Sequence, residues 1–190
     1  MIPFDRLGWI FHAFGALIYP RKIRAQLCRR LRTLPSCAKV LDVGAGTGVL
    51  CRFARVCRDD LVLDAVDPAI GMLHYCDDAI TTHVARAEKL PFKDEHFDAV
   101  MTGEALHHFD DVHQALLEIY RVLKKGGLFF IYDFDPSKSM GRLIAKGEKL
   151  LGEPAHFYEP KKLKELLESL GFEAELYLSG YRYVIHATRK

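Results

Sequence analysis

The sequence lacks the long apolar runs of an integral membrane protein. No stretch reaches the roughly 18 consecutive apolar residues that a membrane span needs, although 49% of the 190 residues are hydrophobic. Residues 1–20 have no basic leading region and contain Asp5, so we expect no signal peptide. The length predicts one domain with a substantial core, and these absences predict a cytoplasmic location.

Closely paired cysteines and a large charge excess are also missing. The five cysteines form no C-x-x-C pair, and an odd number is unlike a secreted disulfide framework. We therefore expect reduced thiols at Cys28, Cys37, Cys51, Cys57 and Cys76. The formal net charge is only +2, so no nucleic-acid partner is expected.

What the chain does contain is a glycine-rich loop between a predicted strand and a predicted helix. Residues 39–48 read KVLDVGAGTG, with Gly44, Gly46 and Gly48 at every second position. Glycine lets the backbone turn tightly and approach a ligand without a clashing Cβ. Asp67 follows at the end of the next apolar run, about 20 residues on, where a carboxylate can accept hydrogen bonds from a ribose diol. These features predict a site for an adenosine-containing cofactor.

The glycine spacing argues against two other nucleotide-binding loops. The dinucleotide pattern G-x-G-x-x-G would need a glycine at Val49 or Cys51, and no lysine follows Gly48 as a P-loop requires. Asp42, just before the loop, suits an ammonium group better than a pyrophosphate. The observed order G-x-G-x-G resembles motif I of class I S-adenosylmethionine-dependent methyltransferases. A glycine turn in some other α/β protein is the alternative.

Strand and helix patterns alternate through the first two thirds of the chain. Apolar, β-rich runs predict strands over 39–43, 61–67, 81–84, 97–102 and 128–134. Helical periodicity predicts helices over 49–57, 70–77, 111–123 and 160–170. This alternation predicts an α/β fold with a parallel sheet, whose ligands bind at the carboxyl ends of the strands. Strands over 172–179 and 181–188 meet at Gly180 and should pair antiparallel.

Five segments resemble, in order, the small-molecule methyltransferases that include the quinone and menaquinone biosynthesis enzymes. They are VLDVGAGTG, AVDPAIGML, ARAEKLPFKDEHFDAV, ALHHFDDVHQALLEIYRVLKKGGLFFIYDF and FYEPKKLKELLESLGF. The resemblance implies a Rossmann-like, doubly wound, seven-stranded sheet of order 3-2-1-4-5-7-6 with the last strand antiparallel. We expect one domain over 1–190, with an N-terminal helical cap over 1–35 and a cofactor-binding core over 36–190.

The resemblance also implies which residues bind S-adenosylmethionine and its product S-adenosylhomocysteine. They are Asp42, Gly44, Ala45, Gly46, Thr47, Gly48, Asp67, Pro68, Met72, Ala87, Glu88, Thr102 and Gly103. Asp42 is expected to orient the loop or meet the cofactor's ammonium, and Asp67 to bind the ribose. Arg86 is a departure, because the family often has Asp or Asn there as an acceptor for the adenine amine, and a guanidinium has no acceptor.

Candidate general bases follow the fourth strand. They are Glu104, His107 and His108, with Glu104 predicted nearest the methyl group. The alternative roles are that Glu104 orders the loop or pairs with the cofactor's ammonium, and that the histidines pack or contact the cofactor. Adjacent histidines on a helix do not face one site, so we expect no metal site.

The methyl acceptor is predicted to bind between residues 1–20 and 136–159, two long connections that carry aromatic side chains. The rings, Phe4, Trp9, Phe11, Tyr19, Phe157 and Tyr158, indicate a small, apolar or aromatic metabolite. The alternative is that they simply cover the sheet edge.

A basic amphipathic helix is predicted next, because Ile23, Leu27, Leu31 and Leu34 recur at helical spacing among arginines and a lysine. The favoured interpretation is a helix packed on the domain with a solvated basic face. Peripheral membrane contact through residues 1–33 and nucleic-acid contact are the alternatives. No pattern predicts the oligomeric state.

Two further functions stay open from the sequence. One is a catalytically silent S-adenosylmethionine-binding regulator, and the other is a protein or nucleic-acid methyltransferase. The residues after the fourth strand read Thr-Gly-Glu-Ala rather than Asn-Pro-Pro-Tyr or Asp-Pro-Pro-Tyr, which disfavours methylation of base amino groups.

Overall fold

Seven strands form one mixed sheet in the computed structural model, which describes residues 15–150 and 156–190 together with Trp9, His12 and Ala13. The sheet order is β3-β2-β1-β4-β5-β7-β6, so the predicted order is confirmed. The strands are β1 (Lys39–Val43), β2 (Val62–Asp67), β3 (Thr81–Val84), β4 (Phe97–Gly103), β5 (Leu123–Phe134), β6 (Phe172–Ser179) and β7 (Arg182–Arg189).

Helices connect the strands and precede them. They are α1 (Arg21–Leu31), α2 (Val49–Cys57), α3 (Ile70–Leu73), α4 (Val112–Val122), α5 (Ser139–Leu150) and α6 (Pro160–Ser169), with 3-10 turns at Gly15–Ile18 and Leu106–His108. The side chain of Asp111 accepts a hydrogen bond from the Gln114 amide and so caps α4. Among the residues that the structure describes, no helix combines the length and the apolarity needed to cross a bilayer.

Helices cover both faces of the sheet, which gives the doubly wound arrangement predicted from the sequence. Successive side chains on a strand point to opposite faces, and Val40 and Leu41 accordingly belong to separate core clusters. The Leu41 cluster packs against α4 and α6, while the Val40 cluster packs against α1, α2 and α3. Because α1 buries Ile23, Leu27 and Leu31 here, the predicted amphipathic helix is confirmed.

The last strand reverses direction, as predicted. Strand β7 pairs antiparallel with both β5 and β6, whereas the neighbours among β1 to β5 pair parallel. The turn between β6 and β7 contains Gly180, at φ 64°, and a turn this short leaves no room for a helical crossover. The carboxyl ends of β1, β2, β3 and β4 therefore share one edge of the sheet.

Three predicted helices end earlier than expected, and the one predicted over 160–170 ends at Ser169. The helix predicted over 70–77 ends at Leu73, because the amides of Tyr75 and Cys76 bond three residues back, in 3-10 fashion. The helix predicted over 111–123 ends at Val122, and β5 begins at Leu123 rather than at residue 128. The pair Gly126-Gly127 lies in a bulge, since Phe97 pairs with Leu123 but Ala99 pairs with Leu128.

The expectation of five reduced thiols is wrong for Cys28 and Cys57. These residues form a disulfide that joins α1 to the end of α2, with Cα atoms 5.3 Å apart and 29 positions between them in the sequence. Cys37, Cys51 and Cys76 are free. The packing of α1 against α2 brings the two sulfur atoms together, and the spacing of cysteines along the chain does not encode that packing.

Candidate functional site

The glycine loop after β1 has a backbone that only glycine adopts readily. Gly44, Gly46 and Gly48 have φ of 71°, 53° and 72°, in the left-handed region. A Cβ on Gly44 would lie 2.5 Å from the Cβ of Ala105, and one on Gly48 would lie 2.9 Å from the sulfur of Cys76. The three glycines thus let the loop form a close-packed cradle at the carboxyl end of β1.

Asp67 joins this loop to the end of β2. Its Oδ2 accepts a hydrogen bond from the Gly46 amide at 2.9 Å, and its Oδ1 accepts one from the Ala69 amide at 2.8 Å. The amides of Gly44 and Ala45 donate to the Val66 carbonyl oxygen at 2.9 and 3.1 Å. These bonds tie the glycine loop to the end of β2.

A narrow cleft at the strand ends brings together site residues that are remote in the sequence. Its walls are Gly44, Val66, Pro68, Ala85, Arg86, Ala87, Glu88, His108, Phe109 and Asp110. Five of these were predicted from the sequence, namely Gly44, Pro68, Ala87, Glu88 and His108. Glycine turns, apolar side chains and carboxylates around one cleft suit an adenosine group.

Asp110 is a cleft residue that the sequence analysis missed. The Arg86 guanidinium forms an ion pair with the Asp110 carboxylate, and both side chains line the cleft. Asp110 therefore brings a hydrogen-bond acceptor to the wall where Arg86 has none. No sequence signal marks it, because the two residues are 24 positions apart.

Asp42, Thr47 and Thr102 are buried and do not line the cleft. The Asp42 carboxylate accepts a hydrogen bond from the Cys51 thiol at 3.5 Å. Burial raises the pKa of Asp42 to about 7, and the nearby charge of Asp67 adds to the rise although the Cys51 hydrogen bond opposes it. A cation beside this carboxyl would favour its ionised form. Met72 is buried against Gly46, with its Cε 3.2 Å from where a Cβ on that glycine would lie.

Glu104 lies in a second group of polar side chains, beyond the end of β4. Its backbone has φ 52°, and its Oε1 lies 3.0 Å from Nη2 of Arg182 on β7. Burial raises the pKa of Glu104 to about 8, although the positive charge of Arg182 opposes the rise. The Tyr19 hydroxyl donates to the Gly103 carbonyl oxygen at 2.9 Å, beside this group. Tyr19 was among the aromatic residues predicted to surround the acceptor, whereas only the tertiary structure brings Arg182 to the site.

His107 is fully buried and held by an acidic partner. Its Nδ1 lies 2.6 Å from Oδ1 of Asp133, and its ring stacks on Phe157 with centroids 4.3 Å apart. Burial lowers the pKa of His107, but the charge and hydrogen bond of Asp133 outweigh it and raise the pKa to about 10. His107 is therefore poorly suited to remove a proton at neutral pH.

The adjacent histidines His107 and His108 face one site, contrary to the prediction. The rings of His107 and His108 have centroids 4.1 Å apart, and both residues lie in the 3-10 turn after β4. Glu148 of α5 approaches both, so that one ligand atom from each residue lies within 4.8 Å of the others. A tight turn followed by tertiary packing converges side chains that a regular helix would separate.

The sheet order, and the glycine loop with Asp67 as its acidic partner, are those of the class I S-adenosylmethionine-dependent methyltransferases. Residues 41–131 match the family model described as a methyltransferase domain. The chain is 30% identical over 181 residues to the ubiquinone/menaquinone biosynthesis C-methyltransferase UbiE of Psychromonas ingrahamii, covering 78% of this chain and 72% of that protein. It is also 30% identical over 166 residues to the protein of the same name from Desulfotalea psychrophila, covering 73% of this chain and 67% of the relative.

Solved structures agree with this assignment. One is a methyltransferase of Thermotoga maritima that is described as a possible histamine N-methyltransferase. It superposes with a TM-score of 0.76 at 25% sequence identity, and the match covers 99% of this chain and 98% of the Thermotoga chain. A putative methyltransferase of Haloferax volcanii, in complex with the activator Trm112, has a TM-score of 0.73 at 18% identity, covers 97% of this chain and 96% of its own, and shares the fold. The chain belongs to the class I S-adenosylmethionine-dependent methyltransferase family, and S-adenosylmethionine is its cofactor.

Proposed function

We propose that this methyltransferase acts on a small, apolar or aromatic metabolite. The observation that carries the proposal is the aromatic surrounding of the buried Glu104–Arg182 pair. The Arg182 guanidinium lies over the rings of Phe134 and Tyr181, at 5.0 and 4.8 Å from their centroids, and 5.7 Å from that of Tyr132. Flat apolar molecules fit such a site. The relatives named for ubiquinone and menaquinone biosynthesis support a quinone-like ring as the acceptor.

The residues around the glycine loop would hold the cofactor. Gly44, Ala45, Gly46, Thr47 and Gly48 would line its methionine part, with Thr102 and Gly103 opposite them. Asp42 would face the ammonium group and Asp67 the ribose diol. The adenine would lie in the cleft, with Pro68, Ala87 and Glu88 around it and Met72 behind the loop. When bound, S-adenosylmethionine supplies a methyl group already activated by a positively charged sulfur.

The protein would then have to orient the acceptor, exclude water and remove a proton where the acceptor has one. Holding the acceptor in line with the activated methyl can contribute about 7–11 kcal/mol. Glu104 would accept the proton on its carboxylate while Arg182 stabilises its charge, a contribution of about 10²–10⁴-fold. His107 and His108 would have a positioning role rather than act as bases, since Asp133 already holds the His107 ring.

The predicted domain organisation and the predicted cytoplasmic location differ in their support. Residues 1–35 would form a cap on a single domain, and the Arg58 side chain, which donates to the carbonyl oxygens of Leu31 and Leu34, would help hold it. A cytoplasmic location has the Cys28–Cys57 disulfide against it, because reducing compartments rarely retain disulfides.

The test is to incubate the protein with cell extract and isotope-labelled S-adenosylmethionine, and to identify labelled products by mass spectrometry. A labelled small molecule, made more slowly by Glu104→Gln and at the normal rate by the exposed control Glu165→Gln, is the expected result. Label found only in protein or nucleic acid would contradict the acceptor class. Tight cofactor binding with no labelled product would instead favour a silent regulator, a role consistent with Glu104 being paired to Arg182.

A further inference from the structure

Three metal-ligating side chains converge between the 3-10 turn after β4 and the last turns of α5. His107, His108 and Glu148 each offer one ligand atom, and these atoms all lie within 4.8 Å of one another. We propose that they bind one divalent transition-metal ion, with Zn²⁺ as the best match. Two imidazoles and a carboxylate suit Zn²⁺ better than Mg²⁺ or Ca²⁺, which prefer oxygen ligands alone. This site goes beyond methyl transfer and does not depend on the acceptor.

The spacing of two ligand atoms is that expected around a shared ion. Nε2 of His107 and Oε2 of Glu148 are 3.4 Å apart, longer than the roughly 2.7–2.9 Å of a charge-assisted hydrogen bond. Both atoms are buried without a hydrogen-bond partner. Zinc bonds of about 2.0–2.1 Å in tetrahedral geometry put two ligand atoms about 3.3 Å apart. The pair therefore matches one edge of a zinc tetrahedron.

Asp133 provides the outer support that metal-binding histidines usually have. Its Oδ1 lies 2.6 Å from Nδ1 of His107, which leaves Nε2 directed at Glu148. Metal-ligating histidines commonly donate their second ring N–H to a carboxylate, which fixes the tautomer and the ring orientation. Phe157 stacks on the same ring with planes 12° apart and restricts it further.

The local charge also favours a cation. The carboxyl groups of Asp133 and Glu148 lie on either side of the His107 ring, at Nδ1 and Nε2. A divalent ion would offset these two carboxyl groups and join α5 to the turn after β4. The competing arrangement is a proton on Nε2, which would make His107 a cation between Asp133 and Glu148.

The test uses untagged, full-length protein stripped with a chelator and titrated with Zn²⁺ by calorimetry, without cofactor. We expect one ion per chain, and Co²⁺ substitution should give the absorption bands of tetrahedral cobalt. Glu148→Gln should weaken Zn²⁺ binding at least tenfold, and Asp133→Asn by about 10–100-fold through the loss of outer support. The exposed controls His113→Gln and Glu165→Gln should bind as the parent does.

Because Asp133 is buried, we expect Asp133→Asn to lose stability, so Glu148→Gln decides the question. The Glu148 side chain is 19% exposed, and its replacement should leave the circular dichroism spectrum unchanged. Absence of stoichiometric Zn²⁺ binding, or equal binding by the parent and a folded Glu148→Gln variant, would overturn the site in favour of the protonated arrangement. Cofactor binding, measured separately, would keep this failure distinct from failure of the proposed function.

Discussion

At the scale of single residues, Asp67 contacts backbone amides of the protein as well as the ribose that we assign to it. Because it accepts hydrogen bonds from the Gly46 and Ala69 amides, its removal should loosen the loop as well as remove a ligand contact. We expect Asp67→Ala to weaken S-adenosylhomocysteine binding by about 1.5–3 kcal/mol, the scale of hydrogen bonds to a charged group. Calorimetry measures this, with exposed Asp59→Asn as the control. An unchanged affinity in a folded Asp67→Ala variant would show that Asp67 does not bind the ribose.

Glu104 makes the stability of the protein depend on pH. Burial raises its pKa from the ordinary 4.5 to about 8, so the folded chain holds this proton more tightly than the unfolded chain. The free energy of unfolding should therefore fall as pH rises between these two values. The charged groups coupled to its carboxyl are Arg182 on β7, Asp133 on β5, His107 in the 3-10 turn and Glu148 on α5. The raised pKa of Asp42 acts in the same direction, so it should lower the free energy of unfolding further as the pH rises from 3.8 to about 7.

Glu104→Gln removes the titrating proton, so its stability should change less between pH 5 and pH 8 than that of the parent. Denaturant unfolding at both values measures this, and Glu165→Gln should keep the parent's dependence. If Glu104 is also the base, kcat of the parent should rise with pH towards about 8 and the variant should lack that rise. Equal pH dependence of unfolding in the parent and Glu104→Gln would contradict the raised pKa.

At the scale of elements, the Cys28–Cys57 disulfide connects the cap helix α1 to the helix that follows the glycine loop. A disulfide restricts the unfolded chain, and removing one typically costs about 2–4 kcal/mol. We therefore expect the double variant Cys28→Ala/Cys57→Ala to lose about this much unfolding free energy. Denaturant titration measures it, and the exposed free thiol variant Cys37→Ser is the control. Equal stability of the double variant and the parent would show that the disulfide does not constrain the unfolded chain.

The segment before α1 is the second element with a testable role. Phe4 and Phe11, two of its predicted lid aromatics, lie outside the described residues, whereas Tyr19 is buried and bonded to Gly103. Deleting residues 1–14 keeps Tyr19 and should lower turnover more than cofactor affinity, since a lid excludes water and holds the acceptor. Labelled-product assays and calorimetry measure the two quantities. Full turnover by the folded, truncated protein would rule out the lid.

The membrane alternative predicts a different result for the same deletion. Trp9 and Leu17 are 56% and 80% exposed, and basic side chains of α1 follow them, a combination that can bind an anionic surface. If this segment binds membranes, the truncated protein should lose its association with anionic liposomes but keep its turnover of a soluble acceptor. Vesicle flotation of the parent and the truncated protein therefore separates the two roles.

At the scale of the whole molecule, cofactor binding and stability are linked because the site is assembled from the ends of four strands. A ligand that binds only the folded state at 100 times its Kd adds about 2.7 kcal/mol to the unfolding free energy. We expect S-adenosylhomocysteine to give this stabilisation with a micromolar Kd, and a nicotinamide dinucleotide to give none. Thermal unfolding at several ligand concentrations measures it. Stabilisation by the dinucleotide alone would contradict the interpretation of the glycine spacing.

The bounds of several elements could be predicted because their signals are local. Strands β1, β3 and β6 and helix α2 have the predicted bounds. Adjacent glycines delimit three of these elements: Gly44 follows β1, Gly48 precedes α2, and Gly171 and Gly180 flank β6. Strand β5 begins five residues earlier than predicted because its pairing with β4 extends through the bulge at Gly126. Partner strands decide such a boundary, and a single segment of sequence carries no signal for it.

Alternation of strands and helices was enough to determine an α/β class, and the glycine spacing with the family resemblance determined the cofactor and the sheet order. Only the tertiary structure decided that Cys28 meets Cys57, that Asp110 pairs with Arg86, and that Glu148 approaches the two histidines. The first two pairs are 29 and 24 positions apart in the sequence. The physical reason is that backbone conformation follows nearby residues, whereas these contacts depend on how helices and loops pack over the sheet.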